Sequence, residues 1–253
     1  MKVIEYGAEN SDVIMLLHGG GLAAWNYSDA AELLKDRYRV VIPVLDGHSG
    51  SDRDFTTIEE NARGLIGYID EKFGGSVLML GGLSLGGQIL VEMLSQRKDI
   101  CGYALVESAL VLPMKLTAKL IKPAFSACYP LVKKRWFAKL QFDSLHMKPK
   151  YFDEYFRDSA AISKENLTAF LTANSDYRLK DTISECRAKT LILVGGRESG
   201  VMKRSALLLN ERIPGSDCMV LDGYYHGDLS LNHPELYAEK ILALLVDSRA
   251  CKQ

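Results

Sequence analysis

Two hydrophobic rhythms alternate along the chain. Short apolar runs occupy positions 3–6, 13–17, 38–45, 77–80, 101–106, 190–194 and 218–221. Between most of them, apolar residues recur at three- and four-residue intervals, the period of a helix with one buried face. The clearest case is 57–73, where Ile58, Ala62, Leu65, Ile66 and Ile69 share a face and Thr56 or Thr57 with Glu60 gives a capping-box pattern. Further helices are predicted at 26–35, with Asn26 or Ser28 as cap, directly after position 85, at 201–212 and at 234–246. Uninterrupted apolar strands separated by helices predict an α/β fold, a mostly parallel central sheet covered by helices on both faces.

The alternation breaks once. Residues 111–182 carry amphipathic helical stretches and no convincing strand. The expected organisation is therefore a core built from residues 1–110 and 183–253, with residues 111–182 as a helical insertion at one end of the sheet. Ligand-handling loops of such sheets lie at the carboxyl ends of the strands, and the residues with chemical potential fall there.

The run 77–80 meets Gly82-Leu83-Ser84-Leu85-Gly86 and then a helical pattern bearing Ile89, Leu90, Met93 and Leu94. A serine at the apex of a strand-to-helix turn needs small residues two before and two after it, because neighbouring β-carbons have no room. The turn raises the Ser84 hydroxyl clear of the sheet, in front of a helix N-terminus. A second glycine loop, His18-Gly19-Gly20-Gly21, follows the run 13–17. Glycines there let backbone N–H groups approach a ligand oxygen, as an oxyanion hole requires, and the expected donors are Gly20 and Leu85.

A nucleophilic serine needs a base, and His226 lies just past the last strand in Asp222-Gly-Tyr-Tyr-His-Gly-Asp228. His18 is expected to brace the glycine loop and His48 to bond within its own loop, while His146 lies in the insertion and His233 beside Pro234. The base needs an acid to orient it. Glu198, in the loop after 190–194, has the chain order serine, acid, histidine. Glu107, at the end of the run 101–106, is the alternative; Asp222 and Asp228 stand too close to His226 in sequence.

These features together resemble the α/β-hydrolase superfamily, in its capped serine esterase branch, over nearly the whole chain. Asp46-Gly-His-Ser-Gly-Ser-Asp52 is similar to that family's D-x-P-G-x-G-x-S loop, and 111–182 corresponds to its helical cap. One departure stands out, since the family usually has Asp where this chain has Glu198. The resemblance implies a cofactor-free serine hydrolase, foremost a carboxylesterase for small to medium acyl chains. Lysophospholipase, monoacylglycerol lipase, thioesterase and carbon–carbon hydrolase activities use the same site. A ligand-binding member with a vestigial triad is the reading from outside enzymology.

Composition narrows this further. With 253 residues, 47% hydrophobic, 25% charged and a net charge of −1, the chain has the size of one domain with an insertion or of two small ones, and nothing in it suggests nucleic acid. No metal-binding or nucleotide-binding motif is present. The first residues lack the apolar stretch of a secretory signal, no apolar run reaches the ~18 residues that would span a membrane, and five scattered cysteines (Cys101, Cys128, Cys186, Cys218, Cys251) read as reduced thiols. A cytoplasmic setting is expected. Charge is uneven in one place: residues 111–150 hold nine Lys or Arg against Asp143 alone, interleaved with aromatic residues. A solvated basic lid is the plain reading; an anionic or acyl-chain substrate, or weak contact with a membrane surface, are the others. Leu22, Met114, Phe125 and Trp136 are expected to line an apolar pocket above Ser84.

Overall fold

The computed structural model describes residues 1–246; Cys251 lies outside them. The centre is a seven-stranded sheet of β1 (Val3–Tyr6), β2 (Val13–Leu17), β3 (Arg39–Pro43), β4 (Val77–Leu83), β5 (Cys101–Glu107), β6 (Lys189–Gly195) and β7 (Asp217–Leu221). Its order is β1-β3-β2-β4-β5-β6-β7. Only the edge strand β1 runs antiparallel, with Val3 opposite Pro43 and Tyr6 opposite Val40. β3 stops at Pro43 rather than at the predicted position 45, since proline has no N–H for the ladder.

Alternate residues of each strand feed opposite layers. Met15, Leu17 and Val41 pack with the apolar faces of α2 (Ile58–Phe73), α3 (Leu85–Gln96) and α8 (Gly200–Arg212). Ile14, Leu16, Val40 and Ile42 pack with α1 (Ser28–Leu34) and α10 (Pro234–Val246). Thr57 caps α2 through its hydroxyl, which accepts the Glu60 N–H at 3.1 Å. The expected cap of α1 is not formed. Ala24–Tyr27 makes a 3₁₀ turn first, Ser28 Oγ donates to the Trp25 carbonyl, and the Asn26 side chain is used elsewhere.

Between β5 and β6 the chain forms α4 (Lys115–Val132), α5 (Arg135–Ser144), α6 (Phe152–Ala161) and α7 (Lys164–Asp176). Polar side chains tie these helices to the sheet layer. Gln88 on α3 donates to the Leu110 and Asn174 carbonyls at 2.6 and 2.8 Å, and Asn174 donates back to Gln88 Oε1 at 2.8 Å. Asp158 on α6 accepts from Trp25 Nε1 and Ser49 Oγ, both at 3.0 Å. Between α8 and α10 a short helix, α9 (Asp228–Asn232), follows β7. Among the described residues, no helix is long and apolar enough to cross a membrane.

Candidate active site

Ser84 joins β4 to α3 with φ 53° and ψ −112°. A non-glycine residue in that region costs on the order of 1–3 kcal/mol, so the surroundings must enforce it. Its N–H donates to the Glu107 carbonyl and its own carbonyl accepts the Gln88 N–H, both at 2.9 Å. The flanking glycines are needed for space. A β-carbon on Gly82 would collide with the Gly86 carbonyl, and one on Gly86 would collide with the Leu17 and His18 carbonyls.

His226 follows β7 and Glu198 follows β6, so both reach the same carboxyl edge as Ser84. His226 Nε2 lies 2.9 Å from Ser84 Oγ and its Nδ1 lies 2.7 Å from Glu198 Oε2. The other carboxylate oxygen, Oε1, accepts from Ser108 Oγ and from the Gly195 N–H, each at 2.7 Å. Burial alone would raise the pKa of Glu198, whose side chain is 1% exposed. The hydrogen bond and charge of His226, with the donors Ser108 and Gly195, outweigh it and hold the carboxyl below its ordinary value. An ionised acceptor at Nδ1 places the proton on that nitrogen. The Nε2 lone pair is then free to accept from the serine hydroxyl.

The glycine loop shows which amide is available. Gly19 N–H donates to Asn26 Oδ1 at 3.2 Å and Gly21 N–H donates to His48 Nε2 at 3.1 Å. Gly20, between them, has no acceptor among the described residues, and neither has Leu85 at the first turn of α3. The two sit together: a β-carbon on Gly20 would lie 3.4 Å from the Leu85 side chain. Two unused backbone amides therefore belong to neighbouring residues, one of them directly following Ser84.

Two buried histidines fix this loop. His18 Nε2 accepts the Leu45 N–H at 3.3 Å and its Nδ1 faces the Gly19 carbonyl at 3.0 Å. His48 Nδ1 faces the Asp46 carbonyl at 3.0 Å while its Nε2 takes the Gly21 amide. A backbone N–H can only donate, so each ring is neutral with its proton on Nδ1. Burial, and for His18 also the neighbouring His48, push them down to about 3 and about 4. The roles of His48 and Asn26 on the glycine loop were not legible in the sequence. Nor was that of Ser108, held at φ 54° so that its hydroxyl meets Glu198. His48 and Ser108 act across separations of 27 and 90 residues, and Asn26, only 7 from its partner, carries no local signature of its role.

Glu107 stands at the same rim, but the His226 Nδ1 hydrogen bond goes to Glu198 instead. Glu107 Oε1 accepts the Ser230 N–H at 3.3 Å and its Oε2 has no partner. Burial, partly offset by Ser230 and His226, pushes its carboxyl up to about 7.

Of the expected pocket residues, one takes that place. Phe125 lines a cavity of about 150 Å³ that begins at Gly20 and Gly21 and continues past Leu145, Tyr155 and Phe170. The other three are corrected by their positions. Leu22 is buried in the core beneath the loop. Met114 is half-exposed just before α4. Trp136 is 62% exposed, because it lies on the side of α5 opposite the buried Ala138 and Phe142. A second cleft of about 260 Å³ is lined by His226, Glu198, Met202 and Tyr225, and Leu145 borders both. Another cavity, about 420 Å³, lies by Lys2, Trp25 and Asp158 and touches none of Ser84, His226 and Glu198. No cluster of three or more His, Cys, Asp or Glu able to hold a metal occurs among the described residues.

Residues 14–240 match the sequence profile of the alpha/beta hydrolase family. The chain belongs to that family. Solved structures superpose closely: a thermophilic esterase from Thermogutta terrifontis has TM-score 0.79 and 19% identity, over 97% of this chain and 93% of that one. The enol-lactonase of Burkholderia xenovorans LB400 has TM-score 0.79 and 15% identity, over 97% and 96%. A bromoperoxidase from Bacillus anthracis has TM-score 0.80 and 17% identity, over 96% and 94%. Three differently named activities on one scaffold show that the likeness is one of fold. No curated protein sequence matches the chain.

Proposed function

We propose that this alpha/beta hydrolase is a serine carboxylesterase acting on esters of small to medium acyl chain. The observation that carries this is the continuous relay from Glu198 through His226 to Ser84, at 2.7 and 2.9 Å. Ser84 Oγ attacks the ester carbonyl carbon as His226 Nε2 takes its proton. The carbonyl oxygen, now negative, is held by the Gly20 and Leu85 N–H groups. Glu198 stabilises the imidazolium through Nδ1–H. His226 then returns the proton to the leaving alcohol oxygen, which leaves an acyl-enzyme. A water, deprotonated by the same histidine, repeats the attack and releases the acid. The apolar walls of the cavity at Gly20, including Phe125, Val132, Ile162 and Phe170, suit the acyl chain. Residues 111–182 act as the cap. A reducing, cytoplasmic setting belongs to the same reading, supported by the unpaired thiols of Cys101, Cys128, Cys186 and Cys218.

The test is hydrolysis of p-nitrophenyl esters from acetate to decanoate by wild type and Ser84→Ala, with fluorophosphonate labelling in parallel. Turnover and labelling lost together in the variant support Ser84 as nucleophile, and the preferred length sizes the pocket. A wild-type protein that neither cleaves any ester nor takes the label refutes the proposal and leaves a ligand-binding protein. Preference for long-chain glycerolipids or thioesters would move the substrate class without moving the triad.

A further inference from the structure

The helices α4 and α5 have apolar groups on two sides. Ala118, Ile121 and Val132 of α4, and Ala138 and Phe142 of α5, are buried. On their outer sides, Leu116 is 73% exposed, Leu120 56%, Trp136 62% and Leu140 65%. Each pair falls at i and i+4, so each helix carries an outward apolar ridge one turn long. Buried side chains explain the inner faces; among the described residues nothing covers the outer ones.

Cations flank these ridges. Lys115, Lys119 and Lys122 fall at i, i+4 and i+7 along α4, a single exposed stripe beside Leu116 and Leu120. None of the three has an ion-pair partner among the described residues, and Lys133 and Lys134 continue the charge into the turn before α5. The basic groups farther along are already neutralised in part, Arg135 by Asp153 and Lys139 by Asp143. The free charge therefore sits on α4 and the turn, beside the exposed leucines and Trp136.

We propose that this outer face of α4 and α5 docks on an anionic lipid surface. The leucine ridges and Trp136 enter the headgroup boundary while the lysines meet lipid phosphates. The combination selects this partner. A nucleic acid would satisfy the lysines and leave four large apolar side chains in water. A second copy of the chain would cover the apolar ridges but bring two positive surfaces together. A leaflet containing anionic lipid takes both groups at once, with tryptophan at the depth it favours. The docked face lies on the far side of α4 and α5 from their buried residues, so binding leaves the site beneath intact.

Vesicles of phosphatidylcholine alone, and with phosphatidylglycerol, test this by co-sedimentation at low and high salt. Ser84→Ala is used beside wild type, so the readout needs no turnover and stands whether or not the esterase reading holds. Both proteins are expected to bind the anionic vesicles and release at high salt. Trp136 emission should shift to the blue on binding, a change absent in Trp136→Phe. Each lysine near an anionic leaflet contributes about 1 kcal/mol, roughly fivefold, so Lys115→Gln/Lys119→Gln/Lys122→Gln should weaken binding on the order of 100-fold. Leu116→Ser/Leu120→Ser should weaken it roughly tenfold or more. Both variants change only exposed residues, and an unchanged thermal midpoint verifies the fold. No binding to anionic vesicles at low salt overturns the proposal. So does binding that ignores the lysine and leucine changes, or a concentration-dependent dimer without vesicle binding.

Discussion

Glu198→Gln is the substitution that interrogates the site most sharply. Oε1 of Glu198 accepts two hydrogen bonds, from Ser108 Oγ and Gly195 N–H, whereas Oε2 faces His226 Nδ1 alone. The glutamine must therefore keep its oxygen at the Oε1 position, because the Gly195 amide can only donate. Its NH₂ then points at Nδ1. That nitrogen becomes an acceptor, the ring proton moves to Nε2, and Nε2 no longer accepts from Ser84. Flipping the amide restores the tautomer but faces donor against donor at Gly195, a loss of about 1–3 kcal/mol, and the charge that stabilises the imidazolium is gone in either arrangement. The expected fall in kcat is on the order of 10³–10⁴, or roughly 4–5.5 kcal/mol, with KM little changed. Steady-state hydrolysis of a short p-nitrophenyl ester measures it, with fluorophosphonate labelling slowing in parallel.

Glu107→Gln is the matched control. The carboxyl is pushed from 4.5 to about 7 by burial, so between these values the folded chain keeps a proton that the unfolded chain gives up. Stability contributed by this group therefore falls as pH rises through that window and is flat above it. Glutamine removes the decline. The variant should keep activity within about threefold and gain up to roughly 3 kcal/mol at pH 8 relative to pH 4, at about 1.4 kcal/mol per tenfold change in proton binding. Urea midpoints at the two pH values read this directly. A Glu198→Gln enzyme retaining more than about a tenth of wild-type kcat, or a Glu107→Gln enzyme losing 10³, would refute the assignment of the acid.

Other consequences are open to direct measurement. Ser108→Ala should lower stability by about 1–3 kcal/mol by removing a donor to a charged buried carboxylate, and Ser108→Gly should recover part of the loss because φ 54° suits glycine; equal thermal midpoints for wild type and Ser108→Ala would count against it. Gly86→Ala should cost about 3 kcal/mol or more, since its β-carbon meets the Leu17 and His18 carbonyls and backbone cannot step aside; a thermal midpoint near wild type would show the elbow to be looser than described. His18 and His48 are held at about 3 and about 4, so the stability they contribute is complete above their unfolded value of 6.5 and is lost as pH falls toward 4. In the Glu107→Gln background, where the opposing glutamate is silent, denaturation midpoints should drop steadily over that range, and a flat profile would contradict the neutral tautomers.

What the sequence made legible had short-range causes. Ser84 between Gly82 and Gly86 was visible because steric exclusion acts within five residues, and the sheet was visible because burial on both faces leaves runs such as 13–17 and 104–106 uniformly apolar. Glycine content alone makes Gly20 an expected donor, but the reason its amide is left unused lies outside the loop: Asn26 and His48 occupy its two neighbours. The same distinction separates the two glutamates. Both end a strand or follow one, both lie on the same rim, and sequence order could only rank them. What decides is their surroundings in three dimensions. Ser108, ninety residues before Glu198, supplies a donor, as does Gly195, and His226 supplies a third, which keeps one carboxyl ionised. Glu107 accepts the Ser230 amide at one oxygen and leaves the other without a partner, so burial prevails there. Trp136 lies outside the expected pocket for a related reason. Amphipathic spacing identifies which residues share a helix face, but where a helix carries apolar groups on two sides it cannot say which side turns inward.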